Sequence, residues 1–384
     1  MPSPRHIQLT PGQERQWTLS RHGFGSLPAA GSEDAAERHM GLHAARLLTP
    51  YVSLHARDRT FLPEDLQAAL RTRRSLIKLR CMRRTLHILT PEDALIAHTA
   101  TLPQRRGAYL AELRRQGLST TAWHRYRAAA LEVLATGPVE YRTLVATVPK
   151  EHRVRGGSTV AKQLAVLAVK SLWEDGALSA LNESASMHHE VKVFLLASNH
   201  HPDIDLTIPG LSYHEAIQRL ILRYFGCYGP ATFRDFVWWS GVKMSDARTA
   251  LQVCLPLLTS IRLESHESVM YARASDEDAL RRTAELPPTH TVLTAYEDPS
   301  LKGYHESRRR YVSDDAYDRL FNSIGEARGS VLVGGSVAAI WTWNRPRRKV
   351  EVEQVRSVDK RSRGDIRELT ANAERFLRLH TIER

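Results

Sequence analysis

Two histidines near the N-terminal end of the chain lie in apolar surroundings where they could do chemistry. His43 lies in the segment GLHAAR (residues 41–46), and His87 lies in RTLHIL (residues 84–89). A histidine can hold a water molecule or exchange a proton with a reacting group near neutral pH. Each residue could equally be a half-buried histidine that only packs and hydrogen-bonds, so the two segments alone leave both interpretations open.

Two clusters of basic residues could bind the phosphates of a nucleic acid. One is the run SRRRYV (residues 307–312), which holds Arg308, Arg309 and Arg310. The other is a predicted turn between alternating apolar segments, and its polar residues are Asn344, Arg345, Arg347, Arg348 and Lys349. Arginine presents a planar fork of donors that matches phosphate oxygens, and a rigid two-stranded ribbon can enter a DNA groove. The alternative for both clusters is an ordinary solvated surface.

The sequence predicts no metal site and no cofactor. The pairs His188-His189 and His200-His201 lie near Asp203 and Asp205. Adjacent residues of a strand point to opposite faces, so neither pair is a natural chelate. The sequence contains no HExxH, GxxxxGK[ST], GxGxxG or GxSxG motif. The three cysteines are far apart, which excludes a disulfide framework and a zinc finger.

The charge of the chain is strongly positive and unevenly distributed. The 384 residues carry a formal net charge of +12. Residues 1–130 hold 20 basic against 10 acidic residues, residues 131–301 hold 16 against 20, and residues 302–384 hold 18 against 12. Basic ends favour a polyanionic partner, most simply a nucleic acid. No segment is long and apolar enough to span a membrane, and the N-terminus lacks the apolar core of a secretory signal. We therefore expect a soluble, cytoplasmic protein associated with the nucleoid.

The pattern of helices and strands predicts a mainly α fold with β structure (α+β), built from tandem winged helix-turn-helix units. Residues 123–211 show the order helix, short helix, longer helix and hairpin, and residues 212–289 repeat it. Gly241 lies where the turn between two helices needs a positive φ. Residues 1–122 are predicted as a further winged-helix-like region, with capped helix starts at Thr10-Pro11 and Thr90-Pro91. In this region one helix from Ser32 to about Leu48 carries His43, and RRTLHIL forms a strand. Residues 290–384 are predicted to be rich in β structure, with the basic hairpin and a closing helix.

Several sequence blocks resemble those of the AlkZ/YcaQ-like winged-helix DNA glycosylases. GLHAARLLTPYVSLHAR resembles the family's GLQAQ…PYxxLWAR block, and LRCMRRTLHILTPED resembles MRGTLHxxxxED. LTPGQ is similar to the family's opening helix, YGPATFRDFVWWSG to the start of its last winged helix, and TAYEDPSLKGYHESRRR to PEFDxLLxGHxDRxR. These blocks occur in the family's order over nearly the whole chain.

The resemblance implies a concave DNA-binding body and a site for alkylated purines. The family's catalytic motif, two polar residues flanking an aliphatic one, falls on His43-Ala44-Ala45, so His43 is the predicted catalytic residue and Ala45 lacks the second polar group. The resemblance also places Arg84 at a glycine position. The predicted lesion pocket contains Ala45, Arg83, Thr85, His87 and Glu297. The basic hairpin corresponds to the family's DNA-probing hairpin, and Asp58 is the nearest carboxylate in the segment that follows the motif.

The resemblance predicts a monomeric, monofunctional glycosylase that releases N7- or N3-alkylated purines from double-stranded DNA. Bulky natural-product adducts or crosslinks are possible substrates, with DNA repair or self-resistance as the purpose. Because Ala45 is not polar, an inactive relative that binds damaged DNA as a sensor or protective protein remains an alternative. A winged-helix transcription factor is a weaker alternative, since nothing in the sequence indicates a dimerisation helix.

Overall fold

The first strand of the described residues pairs with a distant hairpin. The computed structural model describes residues 6–25, 30–151, 157–184, 186–208 and 210–379. Strand β1 (Ile7–Leu9) precedes helix α1 (Pro11–Arg21). Thr10 caps α1 in a capping box with Gln13, because each side chain accepts a hydrogen bond from the other residue's backbone N–H. The helix start predicted at Thr10-Pro11 is confirmed.

The first repeated unit has the order helix, strand, helix, helix and hairpin. Its elements are α2 (Ser32–Arg38), β2 (Leu42–His43), α3 (Thr49–Arg57), α4 (Pro63–Arg71), β3 (Ile77–Arg80) and β4 (Leu86–Leu89). The three strands form one sheet in the order β2-β4-β3. His43 lies directly opposite His87 in the antiparallel pairing of β2 with β4.

The helix predicted from Ser32 to Leu48 is wrong, because α2 ends at Arg38 and His43 lies on a strand. Gly41 has φ +101°, a conformation that favours glycine, and a Cβ there would lie 2.9 Å from the Leu89 side chain. The Gly41 N–H donates a hydrogen bond to the Ala36 carbonyl at the C-terminal end of α2. The tight turn at this glycine redirects the chain into the sheet.

A left-handed turn separates β3 from β4. Arg83 and Arg84 have φ +48° and +62°. The strand therefore begins at Leu86, three residues later than the predicted strand RRTLHIL. The positive φ of Arg84 gives a physical reason for the glycine that the family block carries at this position.

A long helix leads into the second repeated unit. Helix α5 (Pro91–Arg115) is capped by Thr90, as its sequence predicts. The unit then contains α6 (Thr120–Ala135), β5 (Val139–Glu140), α7 (Tyr141–Glu151), α8 (Gly157–Glu174), β6 (Leu178–Asn182) and β7 (Lys192–Leu196). Its sheet has the order β5-β7-β6, and the short helix α9 (Ala197–His200) follows.

The third unit repeats the same order and recruits the N-terminal strand. Its elements are α10 (Tyr213–Tyr228), β8 (Ala231–Thr232), α11 (Phe233–Ser240), α12 (Met244–Cys254), β9 (Leu258–Leu263) and β10 (His266–Arg273). Strand β1 adds to this sheet parallel to β9. Gly241 ends α11 with φ +73°, so the predicted positive φ in this turn is confirmed.

The C-terminal region consists of an antiparallel sheet and a long final helix. Its elements are α13 (Glu277–Arg281), β11 (Thr291–Thr294), α14 (Pro299–Lys302), α15 (Asp314–Leu320), β12 (Gly329–Val333), β13 (Ser336–Asn344), β14 (Lys349–Gln354) and α16 (Lys360–Leu379). The sheet order is β11-β12-β13-β14. The predicted hairpin around residues 344–349 and the predicted closing helix are both present.

The regions share their apolar core. One cluster of buried side chains joins the first two units to the C-terminal sheet and α16, and a second joins α10–α12 to the first unit and α14–α15. The predicted α+β fold class is confirmed, and each unit has the helix and strand order of a winged helix-turn-helix. The predicted boundaries after residues 122, 211 and 289, and the concave DNA-binding face, stay predictions. In the part of the chain that the structure describes, no helix combines the length and apolarity that a membrane crossing requires.

Candidate active site and nucleic-acid interface

The two predicted histidines lie side by side in a buried position. The rings of His43 and His87 meet edge to face with their centroids 5.3 Å apart. Nδ1 of His87 lies 3.2 Å from the Thr85 carbonyl oxygen. Both ring nitrogens of His43 are buried and lack a hydrogen-bond partner among the described residues. Buried polar atoms are normally satisfied, so this imidazole is available to a ligand or a water molecule.

Glu297 faces His43 across a short gap. Its Oε2 lies 3.6 Å from Nε2 of His43, and its side chain is only 2% exposed. The Ala327 N–H donates to Oε1 at 2.5 Å, and Nζ of Lys302 lies 2.6 Å from Oε2. Nζ also donates to the Gly325 carbonyl at 3.1 Å. The structure therefore places the predicted pocket residue Glu297 beside the predicted catalytic histidine.

Burial sets the charge state of this site. It lowers the pKa of His43 well below its ordinary value, and the neighbouring His87, Lys302 and Arg83 lower it further. Burial likewise lowers the pKa of His87 to about 4. It raises the pKa of Glu297, while the Lys302 ammonium opposes that shift. At neutral pH the two imidazoles are uncharged and lie beside a carboxylate that is paired with an ammonium.

A buried ion pair fixes the backbone that carries Glu297. The next residue, Asp298, caps α14 and accepts two hydrogen bonds from the Arg57 guanidinium at 2.8 and 2.9 Å. Both side chains are almost fully buried. Burial alone would raise the pKa of Asp298, but the Arg57 guanidinium holds this pKa well below its ordinary value. The pair joins α3 to the segment after β11, so it holds the N-terminal and C-terminal parts of the site together.

The indole ring of Trp238 packs against basic side chains beside the ion pair of Glu297 and Lys302. The Arg83 guanidinium lies 3.8 Å from the ring centroid, and Nζ of Lys302 lies 5.5 Å away. The His305 ring stacks on the same indole with the centroids 5.0 Å apart. Sequence reasoning did not identify Lys302 or Trp238. Lys302 lies inside the block that ends in SRRR, and it is one of only nine lysines, which is the signal that could have found it.

The side chains of Ala45 and Thr85, two other predicted pocket residues, make no hydrogen bond to His43 or Glu297 in the described part of the chain. Ala45 is exposed in the bend after β2, and its methyl group cannot act on a substrate. The Thr85 hydroxyl donates to the Met82 carbonyl within the turn. Asp58 binds the backbone and hydroxyl of Thr60 in a local turn, so no observed contact supports the suggestion that this carboxylate assists the motif.

The arginine run has mostly structural contacts. Arg310 is buried beside Glu14 and donates to the Pro230 carbonyl at 2.9 Å. Arg308 is buried against Phe321, and its guanidinium carbon lies 4.0 Å from the ring centroid. Both guanidinium groups are buried in this structure, and the predicted role of Arg308 and Arg310 in binding DNA stays a prediction. Arg309 is exposed, packs on Tyr317 and pairs with Asp314.

The hairpin of β13 and β14 presents its cations to solvent. Arg345, Arg347 and Lys349 are exposed. The guanidinium of Arg347 lies 3.5 Å from a carboxylate oxygen of Glu351 on the same hairpin. The Asn344 side chain accepts a hydrogen bond from the Arg347 N–H and so shapes the turn. Arg348, with φ +48°, is tied to Arg378 of α16 through its carbonyl oxygen. The tip is thus a preorganised basic surface.

A cavity of about 390 Å³ opens near the site. It is lined by residues that adjoin the site in the chain, Arg46 and Tyr296, together with the hairpin residues Trp341 and Trp343. Its walls are mainly aromatic and aliphatic, a composition that suits a flat organic group.

The histidine pairs considered as metal ligands lie apart from this site. Nε2 of His188 hydrogen-bonds to the Leu377 carbonyl, and Asp205 caps the turn at Thr207. Within the described ranges, no group of three or more histidine, cysteine or acidic side chains has the arrangement of a metal site.

Comparison with known proteins gives two findings. A family model described as DNA glycosylase AlkZ-like matches residues 36–379. The structure of Streptomyces sahachiroi DNA glycosylase AlkZ aligns with a TM-score of 0.77 at 19% sequence identity, over 97% of this chain and 98% of that chain. No curated protein matches the chain. At this identity the structural likeness shows a shared fold.

Proposed function

The chain belongs to the AlkZ-like DNA glycosylase family, and we propose that it releases N7- or N3-alkylated purines from double-stranded DNA. Membership places it among proteins that act on DNA. The substrate and the roles of individual residues are our proposal. One observation carries it: the buried imidazole of His43 leaves both ring nitrogens unpartnered at the position of the family's catalytic motif.

The chemistry of an alkylated purine suits a neutral histidine. Alkylation at N7 or N3 gives the base a positive charge, so it can leave as a neutral molecule when the bond to the sugar breaks. A neutral imidazole can orient the attacking water without adding a positive charge beside the developing sugar cation. The lowered pKa of His43 keeps the imidazole in this state at neutral pH.

The contacts of Lys302 support a monofunctional enzyme. Its ammonium is bound to Glu297 and to the Gly325 carbonyl, and it is largely buried. An amine in such a salt bridge is a poor nucleophile, so water is the proposed attacking group and no covalent enzyme–DNA intermediate forms.

The cavity and the hairpin support the proposed substrate. The aromatic cavity beside Tyr296 gives room for an alkyl group larger than methyl, which includes bulky natural-product adducts. The exposed hairpin cations would contact the DNA backbone. We propose that the protein acts as a cytoplasmic, chromosome-associated monomer in repair of, or self-resistance to, such alkylation.

A second candidate is a relative that binds damaged DNA without cutting it. The observation in its favour is Ala45, which is exposed and offers no functional group where the family has a polar residue. This protein would act as a lesion sensor or protective protein.

Single-turnover base release tests the proposal. A duplex with one N7-alkylguanine, small or bulky, is incubated with excess protein, and abasic sites are scored by alkaline cleavage. We expect release by the parent and a loss of about 10²-fold or more in His43→Ala, as for a typical electrostatic or positioning group. Ala45→Gln is the companion variant. A parent that binds lesion DNA but releases nothing, with activity gained in Ala45→Gln, would establish the sensor instead.

A further inference from the structure

We propose that Glu297 is the catalytic carboxylate of this site and takes over the role of the polar side chain that is missing at Ala45. The inference rests on the proposed glycosylase function and adds a reacting group to it. The carboxylate comes from the segment after β11, so it reaches His43 from a different part of the chain than the motif itself.

A short gap separates the side chains of Glu297 and His43. Oε2 of Glu297 and Nε2 of His43 are 3.6 Å apart, which is longer than a hydrogen bond between nitrogen and oxygen. A water molecule at hydrogen-bond distance from both atoms would complete the pair. Neither nitrogen of His43 has a hydrogen-bond partner among the described residues, so the imidazole is free to hold that water.

The neighbouring carboxylates of Asp298 and Glu326 are bound to groups other than His43. Asp298 is fully engaged by Arg57 and the cap of α14. Glu326 accepts hydrogen bonds from the Tyr296 hydroxyl at 2.7 Å and the Asn322 amide at 2.8 Å. Glu297 is the acid whose Oε2 faces the catalytic histidine.

The backbone of Glu297 has an unfavourable conformation. Its φ is +57°, a left-handed conformation that is unfavourable for a residue with a side chain. The Ala327 N–H and the Lys302 ammonium bind the carboxylate and so offset the cost of burying its charge. Strained residues with such tight support are concentrated at functional sites.

In the proposed reaction, one bond of the nucleotide breaks and one bond to water forms. The bond between the sugar C1′ and the purine N9 breaks, and its electron pair leaves with the cationic base, which departs neutral. The carboxylate of Glu297 stabilises the resulting sugar cation through its negative charge. The water between His43 and Glu297 attacks C1′ and gives its proton to Glu297. The products are the free base, an abasic sugar with a hydroxyl at C1′, and a protonated Glu297 that later returns its proton to solvent.

Lys302 is a positioning residue in this scheme. Its ammonium lies 2.6 Å from Oε2 and favours the ionised carboxylate, which burial would otherwise destabilise. Removing the ammonium should therefore raise the pKa of Glu297 further and require a higher pH for activity.

The test compares Glu297→Gln with the matched control Glu326→Gln in single-turnover base release. Both variants remove one carboxylate from the same region and keep the side-chain volume. We expect Glu297→Gln to lose about 10²-fold or more in rate, measured on folded protein, while lesion-DNA affinity stays close to that of the parent. Its melting temperature should fall, because the substitution leaves the buried Lys302 ammonium without its carboxylate partner. Glu326→Gln should keep the parent rate. Equal rates for Glu297→Gln and the parent would overturn the inference.

The pH profile tests the same inference without a substitution at Glu297. After subtraction of spontaneous release, the parent rate should fall on the acid side with a midpoint above the ordinary glutamate pKa of 4.5. In Lys302→Met this midpoint should move to higher pH, with activity recovered in alkaline buffer. An unmoved midpoint would contradict the positioning role.

The outcomes separate this inference from the proposed function. A parent that releases no base contradicts the glycosylase function itself. A parent that is active, with His43→Ala inactive and Glu297→Gln fully active, leaves the glycosylase function standing and overturns only the role of Glu297.

Discussion

At the scale of single residues, the site depends on a buried ion pair that takes no part in the chemistry. Arg57 donates to both carboxylate oxygens of Asp298 and to the carbonyl oxygens of His22 and Ser53. Neither charge reaches solvent, so each needs the other to offset its desolvation. The residue adjacent to the pair is Glu297, whose position relative to His43 is therefore fixed through Asp298.

We predict that Asp298→Asn destabilises the protein by about 3–5 kcal/mol, because it leaves the Arg57 charge buried and unpaired. The free energy of unfolding in urea measures the effect. The control is Glu368→Gln, which breaks the exposed pair with Arg59 and should change stability by less than about 1 kcal/mol. Equal effects of the two substitutions would contradict the role assigned to the buried pair.

At the scale of elements, the hairpin of β13 and β14 is a rigid carrier of exposed charge. Its two strands pair antiparallel at six positions, from Ala339 opposite Gln354 to Asn344 opposite Lys349. Trp341 anchors β13 through its indole N–H, which donates to the Thr294 carbonyl. A tip held in this way can meet a DNA groove without first becoming ordered.

We predict that replacing Arg345, Arg347 and Lys349 by alanine weakens lesion-DNA binding about 10- to 100-fold at moderate salt. The logarithm of affinity should also depend less steeply on the logarithm of salt concentration, by about one unit for each lost phosphate contact. Fluorescence anisotropy over a salt series measures both quantities. Base release at saturating protein should stay within about threefold of the parent, because these residues do not touch His43.

The control for the hairpin is a second triple variant with the same loss of charge. Arg219, Arg281 and Arg282 are exposed in the acidic middle region, and their replacement by alanine should leave the salt dependence nearly unchanged. If both triple variants reduce the slope equally, DNA binding follows total charge and the hairpin has no special role.

The elements that the sequence predicts well are those specified by neighbouring residues. The capped starts at Thr10 and Thr90, the turn at Gly241 and the basic hairpin all depend on local periodicity and turn chemistry. The apolar residues around His43 continue the pattern of α2, so the sequence alone predicts a helix there. The pairing of β2 with β4 decides its conformation, and Gly41 was the local sign that α2 had ended.

The composition of the site could be predicted only in part. The family resemblance identifies His43, His87 and Glu297 one by one, yet the contact between His43 and Glu297 joins segments far apart in the chain. The burial of Arg310 likewise depends on Glu14 and Pro230, which belong to other elements. A run of arginines looks the same in a sequence whether it is solvated or buried.

At the scale of the whole molecule, buried histidines make the stability sensitive to mild acid. In the described part of the chain, burial lowers the pKa of seven of these histidines below the ordinary value of 6.5. They are His22, His39, His43, His87, His98, His200 and His201. They are spread over the first two units and their connections to the rest of the chain. Unfolding exposes all of them to solvent, where each can take up a proton near pH 6.5.

We predict that the free energy of unfolding is lower at pH 5 than at pH 7 by about 4 kcal/mol or more. A histidine with a lowered folded pKa contributes full stability above its unfolded pKa and loses it as the pH falls from there through the folded value. Burial lowers the pKa of His22 to about 3 and that of His87 to about 4, so each contributes roughly 2 kcal/mol to this difference. Urea unfolding at the two pH values measures it.

The matched variants for this prediction are His22→Gln and His214→Gln. His22 is fully buried between Ser300 and the Cys227 carbonyl, whereas His214 is exposed on α10. His22→Gln should reduce the difference between the two pH values, because glutamine does not titrate, and His214→Gln should leave it unchanged. A protein equally stable at pH 5 and pH 7 would mean that these histidines accept protons in the folded state. The imidazole of His43, which the proposed chemistry requires to be uncharged, would then be uncharged only above the ordinary histidine pKa. The rate of base release should in that case fall on the acid side with a midpoint near 6.5, in place of the midpoint assigned to Glu297.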